Sequence, residues 1–272
     1  MRPAHDDLIV LRGGGDIATG VAWRLHHCGF RVLVTELSSP LSIRRTVSLS
    51  TAITDGVTSV EGLIGRKCEN DSAVYGSWEL GEIPVIIAPA LADIGDLDNI
   101  AAVIDCRLAK RPLDTTISDA PIVVGLGPGF VVGEHCDAAI ETMRGHRLGR
   151  VIFDGSAEPN TGSPGVIEGK SSERVIRAPE NGVVEWLSNI GDWVEAETPL
   201  GFIQGQERCE VVAPFTGMVR GLIADHSNVT VGLKIADIDP RNDPSACHQI
   251  SDKALAIGGG VVEAIWRLKL QQ

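Results

Sequence analysis

The stretch from Leu8 to Ala18 reads LIVLRGGGDIA, and it decides the fold of the first half of the chain. Its four apolar residues are followed closely by three glycines, a pattern typical of a buried strand that ends in a tight turn. Apolar residues then recur at helical spacing, and Gly29 is a suitable residue to end the helix. The apolar positions of that helix are Ile17, Val21, Leu25 and Cys28. The stretch therefore predicts a strand, a glycine loop and a helix in succession.

The glycine loop has the spacing Gly13-x-Gly15-x-x-Ala18. Glycines in such a loop let a phosphate approach the backbone, and the start of the helix offers it free N–H groups. Glu36 ends the second predicted strand, where a carboxylate binds ribose hydroxyls in dinucleotide-binding proteins. The predicted cofactor-binding residues are Gly13, Gly14, Gly15, Ala18 and Glu36. The alternative is a glycine turn that serves only to pack the helix against the sheet.

A second glycine loop, Gly125-Leu-Gly127-Pro-Gly129, follows another apolar run. We predict a helix through Asp137–Met143 after it. In a parallel sheet both loops would lie at the carboxyl edge, where ligands bind. Gly125, Gly127 and Gly129 are therefore further candidates for cofactor binding, and a rigid strand-to-helix turn is the alternative.

Two arginines and one cysteine are the remaining candidate site residues. Arg44 and Arg45 lie in a segment with a helical pattern, and two guanidiniums can hold a phosphate in a forked geometry. A solvated pair on a helix surface is the alternative. Cys247 is the candidate catalytic thiolate, because His248 and a nearby helix N-terminus could lower its pKa. A free cysteine in a connecting loop is the alternative. The scattered histidines and the absence of a CxxC pair predict no protein-ligated metal.

Apolar runs alternate with helical patterns through the first half of the chain. This alternation predicts an α/β fold with a Rossmann-like, doubly wound, mostly parallel sheet. Residues 55–80 have no clear pattern and are left unassigned. After Leu8–Leu11, the predicted strands are Arg31–Thr35, Ile83–Ala88, Ala101–Ile104, Pro121–Val124 and Arg150–Phe153.

The second half contains an internal repeat. The segment Ala178–Val184, APENGVV, recurs 35 residues later as Ala213–Val219, APFTGMV. Each copy has the pattern strand, turn, strand, so the repeat predicts a biotinyl/lipoyl-like β hammerhead barrel. The hairpin between the copies, Gln204–Glu210, contains no lysine. We therefore expect neither biotin nor lipoate on this chain.

These patterns predict three regions. Residues 1–155 form the Rossmann-like cofactor-binding domain, residues 156–240 the hammerhead, and residues 241–272 a C-terminal helix that packs back on the first domain. Ser251 can cap that helix. Its three consecutive glycines indicate that it packs very closely on another backbone or meets a ligand.

The bulk composition restricts the partners and the cell compartment. The net charge of -12 and the pI of about 5.0 argue against binding to a nucleic acid backbone. No apolar stretch is long enough to span a membrane. Six dispersed cysteines are typical of free thiols in a reducing environment, so we predict a cytoplasmic protein.

Several motifs together resemble the YqeB-type accessory proteins of the selenium-dependent molybdenum hydroxylase system. The resemblance runs from about Leu8 to Ile265, and Ala236 is one departure where glycine is expected. It implies a role in maturing a molybdenum hydroxylase, with the apo-enzyme as partner, in which the chain binds molybdenum cofactor and assists selenium or sulfur insertion. The motifs are RGGGDIATGVAWRLHHCGF, SIRRTVS, GLGPGF, ETMRGHRLGRVI, PNTG, KIADIDPR and ISDKALAIGGGVVEAI.

Two other functions are compatible with the sequence. An NAD(P)-dependent oxidoreductase would use the same glycine loop, and a non-catalytic docking scaffold would use the hammerhead to hold partners. The cofactor is accordingly a molybdopterin-type cofactor or NAD(P), and the sequence does not decide between them. Whether the protein is catalytic and whether it forms a homo-oligomer are also left open.

Overall fold

The computed structural model describes residues 6–95, 97, 99–111, 113–160 and 168–271. Its contacts divide the chain into two units. The first comprises Met1–Pro40, Ser48–Thr161 and Ile250–Gln272, and the second comprises Leu41–Val47 and Gly162–Gln249. The short segment Leu41–Val47, which the predicted boundaries placed in the first domain, therefore groups with the second unit.

A sheet of nine strands forms the centre of the first unit. Its order is β3-β4-β5-β2-β1-β6-β7-β8-β9. Neighbouring strands from β4 to β8 are parallel, whereas β3 and β9 are antiparallel additions at the two edges. The strands are β1 (Leu8–Arg12), β2 (Arg31–Glu36), β3 (Val57–Val60), β4 (Leu63–Lys67), β5 (Ile83–Ile87), β6 (Ile100–Asp105), β7 (Val123–Leu126), β8 (Ala138–Ile140) and β9 (Val151–Ile152).

The described residues of this unit form four α-helices: α1 (Asp16–His27), α2 (Ala52–Asp55), α3 (Asp71–Glu79) and α4 (Asp252–Lys269). The Ser251 side chain caps α4 by accepting a hydrogen bond from the Ala254 amide at 3.1 Å, as its sequence predicts. Within the described ranges, no helix has both the length and the apolar character needed to cross a membrane.

Helices α1 and α4 pack with their backbones almost in contact. A Cβ atom placed on Gly258 would lie 2.7 Å from the carbonyl oxygen of Gly20, and one placed on Gly20 would lie 2.6 Å from the Cβ of Ala254. These distances confirm the close backbone approach predicted from the glycines of the C-terminal helix. The exposed Gly259 has no such neighbour within 4 Å.

Two local predictions for the first unit are corrected. The helix expected through Asp137–Met143 is strand β8, which is held between β7 and β9. Among the described residues, no helix joins β6 to β7 or β7 to β8. The unassigned residues 55–80 form the β3–β4 hairpin and α3.

The second unit contains two four-stranded antiparallel sheets. Their orders are β10-β17-β15-β12 and β14-β13-β11-β16. The internal repeat accounts for both sheets: β11 pairs with β13 in one copy and β15 pairs with β17 in the other, while the short strands β12 and β16 cross to the opposite copy. The strands are β10 (Val175–Arg177), β11 (Gly182–Trp186), β12 (Trp193–Val194), β13 (Pro199–Gln204), β14 (Arg208–Val212), β15 (Gly217–Leu222), β16 (Asn228–Val229) and β17 (Lys234–Asp239).

The predicted fold class is therefore corrected. The first unit has a mixed sheet with antiparallel edges, and two of its parallel crossovers contain no helix among their described residues, instead of the Rossmann-like doubly wound sheet. The second unit has two separate antiparallel sheets instead of a closed biotinyl/lipoyl-like barrel. The observed architecture is a mixed α/β sheet accompanied by antiparallel sheets.

His26 makes the stability of the first unit sensitive to acid. Burial lowers the pKa of this α1 histidine to about 4, and the nearby His27 lowers it further. Because the unfolded chain takes up the proton near pH 6.5, stability is lost as the pH falls from about 6.5 towards 4. The loss attributable to His26 reaches up to about 3 kcal/mol, at 1.36 kcal/mol for each unit of pKa.

A His26→Gln variant should lose less stability on acidification than the wild-type protein. Urea unfolding at pH 7.5 and pH 4.5 measures the difference. His27→Gln, a change at the neighbouring exposed position, serves as the control and should keep most of the acid sensitivity of the wild type, because burial is the largest cause of the His26 pKa shift. Parallel losses in the wild-type and His26→Gln proteins would show that His26 does not carry the effect.

Candidate functional site

The strand order of the first unit reverses at β1. Strand β2 lies on one side of β1 and β6 lies on the other, so the connections on the two sides run in opposite directions. In open α/β sheets, ligands bind outside the carboxyl ends of the strands at such a reversal. The loop Gly13–Gly15 leaves the end of β1 and leads into α1, and the loop Gly125–Gly129 lies at the end of β7. The candidate site is therefore this carboxyl edge.

The three glycines of the first loop have different surroundings. Gly13 has a φ of 97°, which favours glycine, and its amide donates to Thr35 O at 2.8 Å. A Cβ on Gly14 would lie 2.9 Å from the amide nitrogen of Ser50. By contrast, a Cβ on Gly15 would meet nothing within 4 Å. Backbone angle and close packing therefore explain why positions 13 and 14 are glycine. They do not explain the glycine at position 15, which faces open space.

Helix α1 begins at this open space. Gly15 is the N-cap residue, with extended backbone angles of φ -67° and ψ -175°, and no side chain caps the helix. The first N–H groups of an α-helix have no partner within the helix and carry partial positive charge. Ala18 is fully buried, so it packs in the core below these groups. The arrangement offers amide donors to an anion in front of Gly15.

Glu36 holds the loop in place. One carboxylate oxygen accepts a hydrogen bond from the Gly14 amide at 2.8 Å, and the other accepts one from the Leu37 amide at 2.8 Å. Burial raises the pKa of Glu36, against the lowering effect of these two bonds. The predicted contact of Glu36 with ribose hydroxyls stays a prediction, and its observed contacts are with the backbone.

A charged network lies beside the first loop, and the predicted cofactor-binding residues do not include its members. We call Arg12, Asp105, Arg107, Asp114 and Thr115 the arginine–aspartate network. Arg12 is only 2% exposed and donates to Thr115 Oγ1 at 2.7 Å and to Asp114 Oδ2 at 2.7 Å. Arg107 donates to Asp105 Oδ2 at 2.5 Å and to Asp114 Oδ1 at 2.6 Å. The hydrogen bond from Arg12, together with those from Arg107, lowers the pKa of Asp114 to about 2.

The sequence offered two local signals for this network, because Arg12 and Asp105 each stand at the end of an apolar run. An arginine at the end of an otherwise apolar strand needs a counter-charge if the strand is buried. Its partners Asp114 and Thr115 lie about a hundred residues further along the chain, so the pattern around Arg12 could not identify them.

The second glycine loop is packed against its own neighbours. A Cβ on Gly127 would lie 2.5 Å from Thr142 Oγ1, and one on Gly129 would lie 2.6 Å from the Cα of Arg111. Gly125 is similarly crowded by Phe130. Because β8 replaces the expected helix, this loop has no helix N-terminus to offer a phosphate. Its glycines therefore fit the alternative of a rigid turn.

Arg44 and Arg45 belong to the second unit, whereas both glycine loops belong to the first. The Arg44 guanidinium donates to Ala246 O at 2.9 Å and to Gln249 O at 3.2 Å, and Arg45 Nε donates to Leu222 O at 2.8 Å. The predicted helix is absent, and only a short 3-10 turn occurs at Arg45–Val47. The structure shows both arginines in hydrogen bonds to backbone oxygens of the second unit.

Cys247 is fully buried in the second unit, in the 3-10 turn Pro244–Cys247. Burial raises its pKa, although Arg220 and Arg44 act in the opposite direction. The expectation of a lowered pKa at this thiol was therefore wrong. A protonated, buried thiol is a poor nucleophile, so the surroundings of Cys247 do not favour the predicted catalytic role.

A separate cavity of about 350 Å³ lies at the carboxyl ends of β4 and β5, next to the start of α3. Its walls combine apolar residues such as Val74 and Ile94 with Lys67, Asp71 and Asp93. It does not include either glycine loop. Over the described residues, no group of three or more histidine, cysteine, aspartate or glutamate side chains could hold a metal ion.

The fold and the site together define a mixed α/β protein with a candidate anion site at the carboxyl edge of its sheet. The chain is 45% identical over 274 residues to the uncharacterized protein YqeB of Escherichia coli strain K12. The match covers 100% of this chain and 50% of YqeB, so the chain spans half the length of this relative. It supports the predicted resemblance to YqeB-type proteins, and the name itself gives no function. No protein-family model matches the chain.

Solved structures match only distantly. An aspartoacylase family protein from Mesorhizobium loti is 13% identical, with 89% of this chain and 88% of that chain covered and a TM-score of 0.29. The ectoine utilization protein EutE from Ruegeria pomeroyi is 15% identical, with 85% and 57% covered and a TM-score of 0.24. A succinylglutamate desuccinylase from Silicibacter sp. TM1040 is 11% identical, with 88% and 86% covered and a TM-score of 0.25.

The predicted functions are corrected by these comparisons. The matched structures are named as aspartoacylase, desuccinylase and ectoine utilization proteins, and not as a molybdenum hydroxylase accessory protein or an NAD(P) oxidoreductase. We therefore withdraw the maturation role, the oxidoreductase and the docking scaffold. With TM-scores from 0.24 to 0.29, these structures do not lend their own activities to this chain.

Proposed function

We propose that the first unit binds a small molecule that carries a phosphate or pyrophosphate group, at the N-terminus of α1. The observation that carries this proposal is the open space at Gly15, in front of a helix start that has no side-chain cap. The N–H groups of a helix start and its partial positive charge favour a bound anion. The ligands predicted from the sequence, a molybdopterin-type cofactor or NAD(P), both contain such groups.

The surroundings of the loop support this proposal over a purely structural turn. A turn needed only for packing would have all its glycines in tight contact, as Gly125, Gly127 and Gly129 do. In the first loop Gly14 is tightly packed and fixed by Glu36, while the adjacent Gly15 is not. The fixed part of the loop holds the open part in position, as a preorganised anion site requires.

Gly15→Asp provides a sharp test, because its effects on folding and on binding should differ. Aspartate is a favourable N-cap residue, and the position has room for it and ordinary backbone angles, so stability should stay within about 0.5 kcal/mol of the wild type. The new carboxylate would accept hydrogen bonds from the first-turn amides and repel a phosphate. Calorimetric titration with pyrophosphate should then show at least a tenfold loss of affinity, or about 1.4 kcal/mol.

Gly259→Asp is the matched control. It adds the same charge at an exposed glycine of α4 that also has free space around it, so pyrophosphate affinity should remain at the wild-type value. Unchanged affinity in a folded Gly15→Asp protein would contradict the proposed site. A wild-type protein that does not bind pyrophosphate in this titration would contradict the proposed function.

A further inference from the structure

Two guanidiniums converge on one carboxylate at the strand reversal. Arg12 ends β1, and it is paired in register with Asp105 at the end of β6. Arg12 and Arg107 each donate to a different oxygen of Asp114, at 2.7 Å and 2.6 Å. This is the geometry in which guanidiniums bind carboxylate and phosphate groups.

The two aspartates of the network differ in how firmly they are held. The side chain of Asp105 is 3% exposed, and its oxygens accept hydrogen bonds from Arg107 and Thr115. The side chain of Asp114 is 49% exposed. Asp105 is therefore a fixed counter-charge, whereas Asp114 can turn towards solvent.

The buried arginine cannot lose its anionic partner without a replacement. The side chain of Arg12 is 2% exposed, and a buried unpaired charge is costly. The network contains two arginines and two aspartates, so departure of Asp114 would leave one positive charge in excess. An incoming anion could restore the balance.

The place where such an anion would bind adjoins the first glycine loop. Arg107 Cγ lies 3.3 Å from the position of a Cβ on Gly13. The segment that carries Asp114 also includes Leu108 and Lys110 at φ 53° and 64°, an unusual backbone region for residues other than glycine. Residues in such conformations are concentrated at ligand clamps and switch regions.

We propose that Arg12 and Arg107 form an anion subsite for a phosphate group of the ligand, and that Asp114 occupies it until the ligand displaces the Asp114 carboxylate. This inference rests on the proposed function and extends it, because it adds side-chain recognition to the backbone amides of α1. It also gives Asp114 an autoinhibitory role, since its carboxylate competes with the ligand.

The test compares pyrophosphate binding by the wild-type protein and by Asp114→Asn in calorimetric titration. Removal of the competing charge should tighten binding about tenfold, with thermal unfolding used to confirm that the variant is folded. Asp114→Ser provides the same measurement if the asparagine variant does not fold. Asp119→Asn removes a half-buried carboxylate that accepts hydrogen bonds from Thr116 and lies outside the network, so it should leave affinity unchanged.

The outcomes separate this inference from the proposed function. Tighter binding by Asp114→Asn alone supports the subsite. If the wild type binds pyrophosphate and Asp114→Asn binds it equally or more weakly, the subsite is wrong and the helix site stands. If Asp119→Asn gives the same gain, the effect is one of net charge and the subsite is again wrong. If neither the wild type nor Asp114→Asn binds, both proposals fail.

Discussion

Gly258→Ala should destabilise the protein by about 2 kcal/mol, because a methyl group has no room at this helix contact. The added Cβ would lie 2.7 Å from Gly20 O and 2.9 Å from Arg24 Cγ. The arginine side chain can move, but the backbone carbonyl of α1 cannot move without separating the two helices. The helical preference of alanine over glycine, about 1 kcal/mol, offsets only part of this cost.

Gly259→Ala should have the opposite effect and stabilise the protein by about 1 kcal/mol. This residue is one position further along the same helix, exposed, and without neighbours within 4 Å of an added Cβ. Urea unfolding of both variants measures the contrast. If both substitutions stabilised the protein equally, the close packing of α1 against α4 would be wrong.

Asp105→Asn should cost about 3 kcal/mol of stability, the usual order for breaking a buried ion pair by removing one partner. The Asp105 side chain is 3% exposed and accepts hydrogen bonds from Arg107 and from Thr115. Asparagine cannot supply the negative charge, so the buried Arg12 and the largely buried Arg107 would share only Asp114.

Asp119→Asn is again the control, because Asp119 also accepts hydrogen bonds but is only half-buried. Its effect should remain below about 1 kcal/mol. Denaturant unfolding at neutral pH compares the two variants. A loss of less than 1 kcal/mol for Asp105→Asn would indicate that the network is well solvated and is not a buried structural element of the site.

The start of the first unit was predictable from local sequence. The apolar run of β1, the glycines and the helical spacing of α1 are contiguous, and the structure contains all three. The segment at 137–143 was not predictable in this way. Its short apolar run, Ala138–Ile140, suits a buried strand or a helix equally, and pairing with β7 and β9 decides the outcome.

The edges of the nine-stranded sheet and the two sheets of the second unit could not be predicted from local sequence, because they are set by contacts between distant residues. The hairpin of β3 and β4 lies in residues that had no clear periodicity, and its pairing to β5 extends the sheet. In the second unit the repeat indicated strands, but it could not show that β12 and β16 pair with strands of the opposite copy or that the strands form two sheets.

Of the candidate site, only the glycine loop that supplies backbone amides could be predicted from the sequence. The glycine pattern identified the loop before α1, but it could not distinguish the packed Gly14 from the open Gly15. Arg12 depends on partners about a hundred residues away. Cys247 was predicted to be a thiolate because of His248 and a nearby helix N-terminus, but the turn that carries it is buried against β15, where its thiol approaches Val219 O at 3.8 Å.

Backbone amide shifts during a pyrophosphate titration, followed by NMR on the isotopically labelled chain, test the central claim most directly. A phosphate at the start of α1 should cause its largest, saturable shifts at the amides of Asp16, Ile17 and Ala18, because these groups would donate to it. Unchanged shifts at these three amides, with saturable shifts confined to Asn70 and Asp71 beside the 350 Å³ cavity, would place the ligand elsewhere and contradict the proposed site.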